Sequence, residues 1–226
     1  MDGILLFNKP ILWTSHDAVD FVRRCVRQKS VGHAGTLDPL ATGLLVMLLG
    51  KLTKLSQQFS GLDKRYFGSM TLGIATDTQD LEGRILGGSD YDSVREESVL
   101  EVFSELRGTQ LQKPPAYSAA RKQGKRLYDW ARQGVLVEPE PKQITVSRFE
   151  LAGVEWPELY FSLVCSKGTY VRSLCDRVGQ RLGCGATLSS LVREQVGRFN
   201  LSGAVGENEL RQMPLEKIES ILIQNR

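Results

Sequence analysis

One carboxylate stands alone in a stretch of small and apolar residues, His33-Ala34-Gly35-Thr36-Leu37-Asp38-Pro39-Leu40-Ala41-Thr42-Gly43. Pro39 fixes its own φ and biases Asp38 toward an extended conformation. The flanking glycines let a substrate approach the backbone closely. An acid held rigidly on such a loop suits covalent or electrostatic catalysis. The structural alternative is an Asp-Pro turn that merely starts the next element. A second candidate is the basic cluster Arg121-Lys122-Gln123-Gly124-Lys125-Arg126, which lies beside Tyr117 and Tyr128. It reads either as a solvated charged face or as a set of contacts to nucleic-acid phosphates.

Other chemistries find little support. Asp77-Thr78-Gln79-Asp80-Leu81-Glu82-Gly83 superficially resembles a calcium loop but lacks the ligand alternation and the distal glutamate, so it reads as a turn. Two histidines, His16 and His33, are too few for a histidine-built metal site. The four cysteines, at 25, 165, 175 and 184, form no C-x-x-C pair and read as reduced thiols. No metal and no cofactor is expected.

These candidates need elements to hold them. Residues 3–7 read as a short buried strand stopped by Asn8-Lys9-Pro10. Thr14 or Ser15 caps a helix whose apolar positions Val19, Val22 and Val26 recur at helical spacing. Residues 31–43, rich in glycine and turn formers, read as a loop, and the apolar run 44–49 as a buried strand. A short helix over 52–59, a strand over 66–74 and a helix over 93–106 follow. A basic stretch, 110–133, ends in a helix across Leu127, Trp130 and Ala131. Strands are expected at 144–149, 159–165 and 188–199, a helix over 170–182, and two short helices at the end. Helices and strands mix without strict βαβ alternation, which predicts an α+β fold around a largely antiparallel sheet.

The chain has 226 residues, 41% hydrophobic and 24% charged, with a net charge of +3. That is an ordinary globular composition, and its basic surplus permits a nucleic-acid partner without demanding one. No signal peptide and no membrane-length apolar run is visible, so a cytoplasmic protein is expected.

The segment Gly32 to Gly43 resembles the signature of the TruB family of pseudouridine synthases. Further blocks in the family's order strengthen the likeness. They are Asn8-Lys9-Pro10 with Thr14-Ser15, Lys64-Arg65-Tyr66 with Gly73 to Gly83, Pro114-Pro115-Ala116-Tyr117-Ser118-Ala119 with Gly124 to Tyr128, and Ser166-Lys167-Gly168-Thr169-Tyr170-Val171-Arg172. The resemblance implies the pseudouridine synthase fold in one catalytic domain over 1–226, with an RNA-binding insertion at about 108–142; as a departure from many members of the family, no PUA domain is expected. It implies isomerisation of uridine 55 in the T-loop of tRNA by a monomer that needs no guide RNA or protein partner. It also implies residue roles. Asp38 matches the family's reactive aspartate, Arg172 the arginine that pairs with it, and Tyr66 the tyrosine stacked on the target base. His33, Tyr170 and Leu191 match substrate-pocket residues. Arg121, Lys122, Lys125 and Arg126, together with Lys54 and Lys64, are the expected RNA contacts. Two alternatives remain at this point: a relative of the guide-RNA-dependent synthases, or a non-catalytic tRNA-binding factor with the same fold.

Overall fold

The computed structural model describes residues 1–224 apart from Ala119, Leu136 and Glu138; of Arg126 only the backbone is described. The fold is α+β, built on a mixed, largely antiparallel sheet. The chain forms two compact units, Met1–Tyr66 with Leu191–Arg226, and Phe67–Ser190.

The first unit begins with β1 (Gly3–Lys9), which pairs antiparallel with β3 (Ala41–Leu49) over its full length. Every residue from Leu44 to Leu49 is apolar and buried, which is the pattern of a strand covered on both faces. One face packs Leu45, Met47 and Leu49 against α1 (Ser15–Val26) and two short C-terminal helices, α6 (Glu207–Gln212) and α7 (Leu215–Ser220). The other face packs Leu44, Val46 and Leu48 against Phe59, Val196 and Phe199. The helix α1 starts where Thr14 forms a capping box with Asp17, satisfying donors that the first turn leaves open. Its Ala18, Val19, Phe21, Val22 and Val26 form the buried stripe.

Three features here depart from the sequence expectation. Val31–His33, read as loop, is a strand, β2, because it pairs antiparallel with the far end of β3. Residues 50–55 form a 3-10 helix, and only Ser56–Ser60, α2, is α-helical. The strand β4 (Lys64–Leu72) follows, and β12 (Ala186–Val196) returns much later to run parallel to β3, Leu191 opposite Ala41 and Arg193 opposite Gly43. β12 ends at a turn in which Gly197 has a φ of 52°, so the expected single strand becomes β12 and a short partner, β13 (Phe199–Asn200).

The second unit contains the remaining part of β4 and the start of β12. It continues through the small β5–β6 hairpin (Ala75–Thr76 and Ile85–Gly87) and α3 (Glu96–Glu105). Its strand β7 (Gly108–Gln112) pairs with β10 (Lys142–Glu155), which pairs with β11 (Glu158–Cys165). The helix α5 (Val171–Leu182) completes it. Its core centres on Phe103 stacked on Phe149 at 3.9 Å, with Phe161 edge-on at 5.5 Å. Between β7 and β10 lies a second hairpin, β8 (Arg121–Lys122) and β9 (Lys125–Arg126), followed by α4 (Leu127–Ala131). Among the described residues, no helix is long and apolar enough to cross a membrane.

Candidate active site

The loop that carries Asp38 is fastened along its backbone, all within the first unit. The Ala34 N–H donates to the Val46 carbonyl at 2.9 Å. The Gly35 and Thr36 carbonyls accept from the two terminal nitrogens of Arg193, at 3.1 and 3.2 Å, while its Nε donates to Leu44 at 2.8 Å. Arg193 is 1% exposed, so its planar fork is spent wholly on orienting this loop. The Ser15 hydroxyl donates to the Leu37 carbonyl at 3.0 Å and accepts from the Leu37 N–H at 2.8 Å. The Asp38 carbonyl accepts from Ala41 and the Pro39 carbonyl from Leu12. The Asp38 side chain is half-buried at the centre of this fastened segment. Asp38 is thus pre-positioned by its neighbours, which is what a reacting group needs.

Gly43 is required for this arrangement. Its φ is 97°, and a Cβ there would lie 2.5 Å from the Arg193 carbonyl oxygen. The close approach of β3 to β12 therefore rests on the absence of a side chain. Leu191 is buried on β12 opposite Ala41, three residues beyond Asp38. Tyr66 is buried on β4. His33, at the end of β2, is half-buried; its Nδ1 is buried without a hydrogen-bond partner among the described residues. Burial, and then the charge of Arg193, hold its pKa below the usual histidine value. The turn before α1 is set by Lys9, 0% exposed, whose ammonium donates to the Pro10 and Trp13 carbonyls at 2.9 and 2.6 Å.

Lys64, named among the expected RNA contacts, faces inward on β4. It is buried, and its ammonium donates to the Ser60 and Leu62 carbonyls at 2.6 and 2.5 Å. That charge is turned onto the end of α2 and ties the chain together there. The alternation along β4, with Lys64 and Tyr66 inward and Arg65 outward, carried that signal. Lys54 by contrast is exposed.

The second unit holds Arg172 and Tyr170. Arg172, on the first turn of α5, is buried; it donates to the carbonyls of Thr78, at 2.6 Å, and Tyr117, at 3.0 Å, and lies 3.5 Å from the Asp80 carboxylate. The acidic segment that superficially resembles a calcium loop is therefore a scaffold for this arginine. Gln79 strengthens it, donating to Asp176 at 3.0 Å and accepting from Ser173 at 2.7 Å. Tyr170 is the N-cap of α5 and is half-buried. The buried Gln112 side chain brackets its backbone, accepting from the Tyr170 N–H at 2.8 Å and donating to the Tyr170 carbonyl at 3.0 Å.

The basic cluster forms the β8–β9 hairpin. Gln123 and Gly124 at its tip both have positive φ, 53° and 81°, the geometry that matches the twist of a two-residue hairpin. Arg121 is exposed and Lys122 half-buried. The Lys125 ammonium sits 4.3 Å from the Trp130 ring centre and donates to Gln133 at 2.5 Å. The side chain of Arg126 lies outside the described residues. Tyr117 and Tyr128 meet edge to face at 6.2 Å. Among the described residues no group of three histidine, cysteine, aspartate or glutamate side chains is placed to hold a metal ion.

Residues 23–171, well over half of the chain, match the family described as "TruB family pseudouridylate synthase (N terminal domain)". The chain belongs to this family. The "tRNA pseudouridine synthase B" of Opitutus terrae is 45% identical over 223 residues, covering 99% of this chain and 92% of that protein. The protein of the same name from Syntrophotalea carbinolica is 44% identical over 223 residues, covering 99% and 73%. A solved chain from an archaeal box H/ACA sRNP Nop10–Cbf5 complex superposes with a TM-score of 0.72 at 23% identity, covering 98% of this chain and 59% of that one. That likeness shows the pseudouridine synthase fold alone.

In this TruB-family chain, sequence reasoning named Asp38 but not the residues that fasten it. Arg193 was missed, although it falls two positions from Leu191 on the same inward alternation of β12. Ser15 was read as a possible helix cap; Thr14 does that work, which leaves the Ser15 hydroxyl for Leu37.

Proposed function

We propose that this protein isomerises uridine 55 in the T-loop of tRNA to pseudouridine, with Asp38 as the reacting carboxylate. The observation that carries the reading is the fastening of the Asp38 loop by Ser15 and Arg193 in a chain of the TruB family. The target base leaves the loop stack, at a cost of a few kcal/mol, because its reacting atoms are otherwise covered. Asp38 assists cleavage of the bond between the base nitrogen and the ribose. The base turns, and a bond forms from its carbon to the same sugar carbon. The proton lost from that carbon is balanced by the one gained at nitrogen, so the product has the atoms of the substrate and no redox partner is called for. Tyr66 offers an aromatic face to the flipped base, and His33, Tyr170 and Leu191 line its place. Arg172 supplies the positive charge of the reaction site. Lys54 and the β8–β9 hairpin contact phosphates. The enzyme acts as a cytoplasmic monomer, without guide RNA, cofactor or metal.

The test is to incubate the purified protein with an unmodified T-arm stem-loop, chelator present and guide RNA absent, and to measure pseudouridine. Multiple-turnover formation at one uridine is expected. Formation only when a guide RNA is added would assign the chain to guided chemistry, and RNA binding without any product would make it a binding factor.

A further inference from the structure

The turn after β1 displays two side chains that the fold itself does not use. Ile11 and Leu12 are 55% and 73% exposed. Leu12 also has a φ of 69°, in the left-handed region that costs a residue with a Cβ about 1–2 kcal/mol. A solvent-facing leucine recovers almost none of that cost by burial. The surroundings hold it there nonetheless. The buried Lys9 ammonium ties the Pro10 carbonyl to that of Trp13, and the Thr14–Asp17 capping box fixes the chain beyond. The Leu12 N–H donates to the Pro39 carbonyl at 2.9 Å, so the strained residue is fastened to the residue that follows Asp38. Strain held rigidly at such a place is characteristic of ligand clamps.

We infer that Leu12, with Ile11 beside it, is an apolar contact for the RNA nucleosides that flank the target uridine. When the target base leaves the stack, its neighbours expose base and ribose faces to water. Two exposed aliphatic side chains on a turn whose backbone is bonded to the residue after Asp38 cover such faces without reading a sequence. The inference rests on the proposed function, since it places the contact beside a flipped uridine.

The experiment uses the full chain with Leu12→Gly and Leu12→Asn. Both replacements suit a positive φ and both remove the apolar side chain. Thermal midpoint, and KM and kcat on the T-arm stem-loop, are measured against the parent. The inference expects a midpoint equal to or above the parent's by a few degrees, a KM raised roughly tenfold and kcat nearly unchanged. Unchanged KM in both variants would overturn it, as would a midpoint several degrees lower, which would make Leu12 a packing residue of the fold. A parent that forms no pseudouridine would instead remove the proposed function, so the two failures are distinguishable.

Discussion

The Ser15 hydroxyl clamps Leu37 at both ends of its peptide groups, donating to the carbonyl at 3.0 Å and accepting from the N–H at 2.8 Å. Both residues are buried, and the next residue is Asp38. One side chain on the first turn of α1 thereby sets the direction in which the carboxylate leaves the loop. Ser15→Ala should leave a buried donor and acceptor unpaired and cost about 1–3 kcal/mol, read by denaturant unfolding. Because the loop would shift as well, kcat on the T-arm stem-loop should fall with KM little changed. A variant with parental stability and kcat would show that the clamp does not position Asp38.

Arg193→Lys should be more damaging. A lysine keeps the charge, but its ammonium cannot reproduce a planar fork reaching Gly35, Thr36 and Leu44 together. Buried carbonyls left without donors should lower stability by at least about 2 kcal/mol. Misplacement of the Asp38 loop should lower kcat/KM by roughly a hundredfold. Gly43→Ala should fail at the same contact from the other side, since its Cβ would collide with the Arg193 backbone; loss of folded protein in an expression trial checks this.

A pH effect follows from His33. Its pKa is held below the ordinary value of 6.5, chiefly by burial. Below about 6.5 the unfolded chain takes up a proton that the folded His33 resists, so stability is fully present above that pH and is lost as pH falls through it. His33→Gln should lose less stability than the parent between about pH 7 and 5.5, in paired denaturant titrations. Parallel losses would show that His33 is readily protonated in the folded protein.

Replacing Arg121, Lys122, Lys125 and Arg126 by glutamine should weaken RNA binding and flatten its dependence on salt. Removing each phosphate-binding charge should lower the log–log slope by roughly 0.7–0.9. An unchanged slope would return the hairpin to the role of a solvated face.

The sequence exposed the local structure and concealed the long-range fastenings. The Thr14 cap, the apolar stripe of α1, the doubly buried run of β3 and the span of α5 were legible because short spacings encode them. β2 was not, because three residues become a strand only by pairing with β3. Within the candidate site Asp38 was named through the resemblance of residues 32–43 to the TruB signature, since its isolation among small residues fits an Asp-Pro turn equally. Arg193 joins its loop across more than 150 positions, a separation that no local pattern carries. The inward turn of Lys64 was hidden for a related reason. A lysine next to an arginine reads as a surface charge until the alternation of β4 turns it inward.

The central claim is that one carboxylate, Asp38, carries the chemistry while many other contacts carry affinity. Asp38→Asn is nearly isosteric and should fold as the parent does. The deciding measurement is pseudouridine formed on an unmodified T-arm stem-loop in a single-turnover assay, with RNA binding measured on the same preparation. The account predicts that binding persists and product formation disappears. Turnover within a factor of about ten of the parent would contradict it, because losing the reacting group should cost far more.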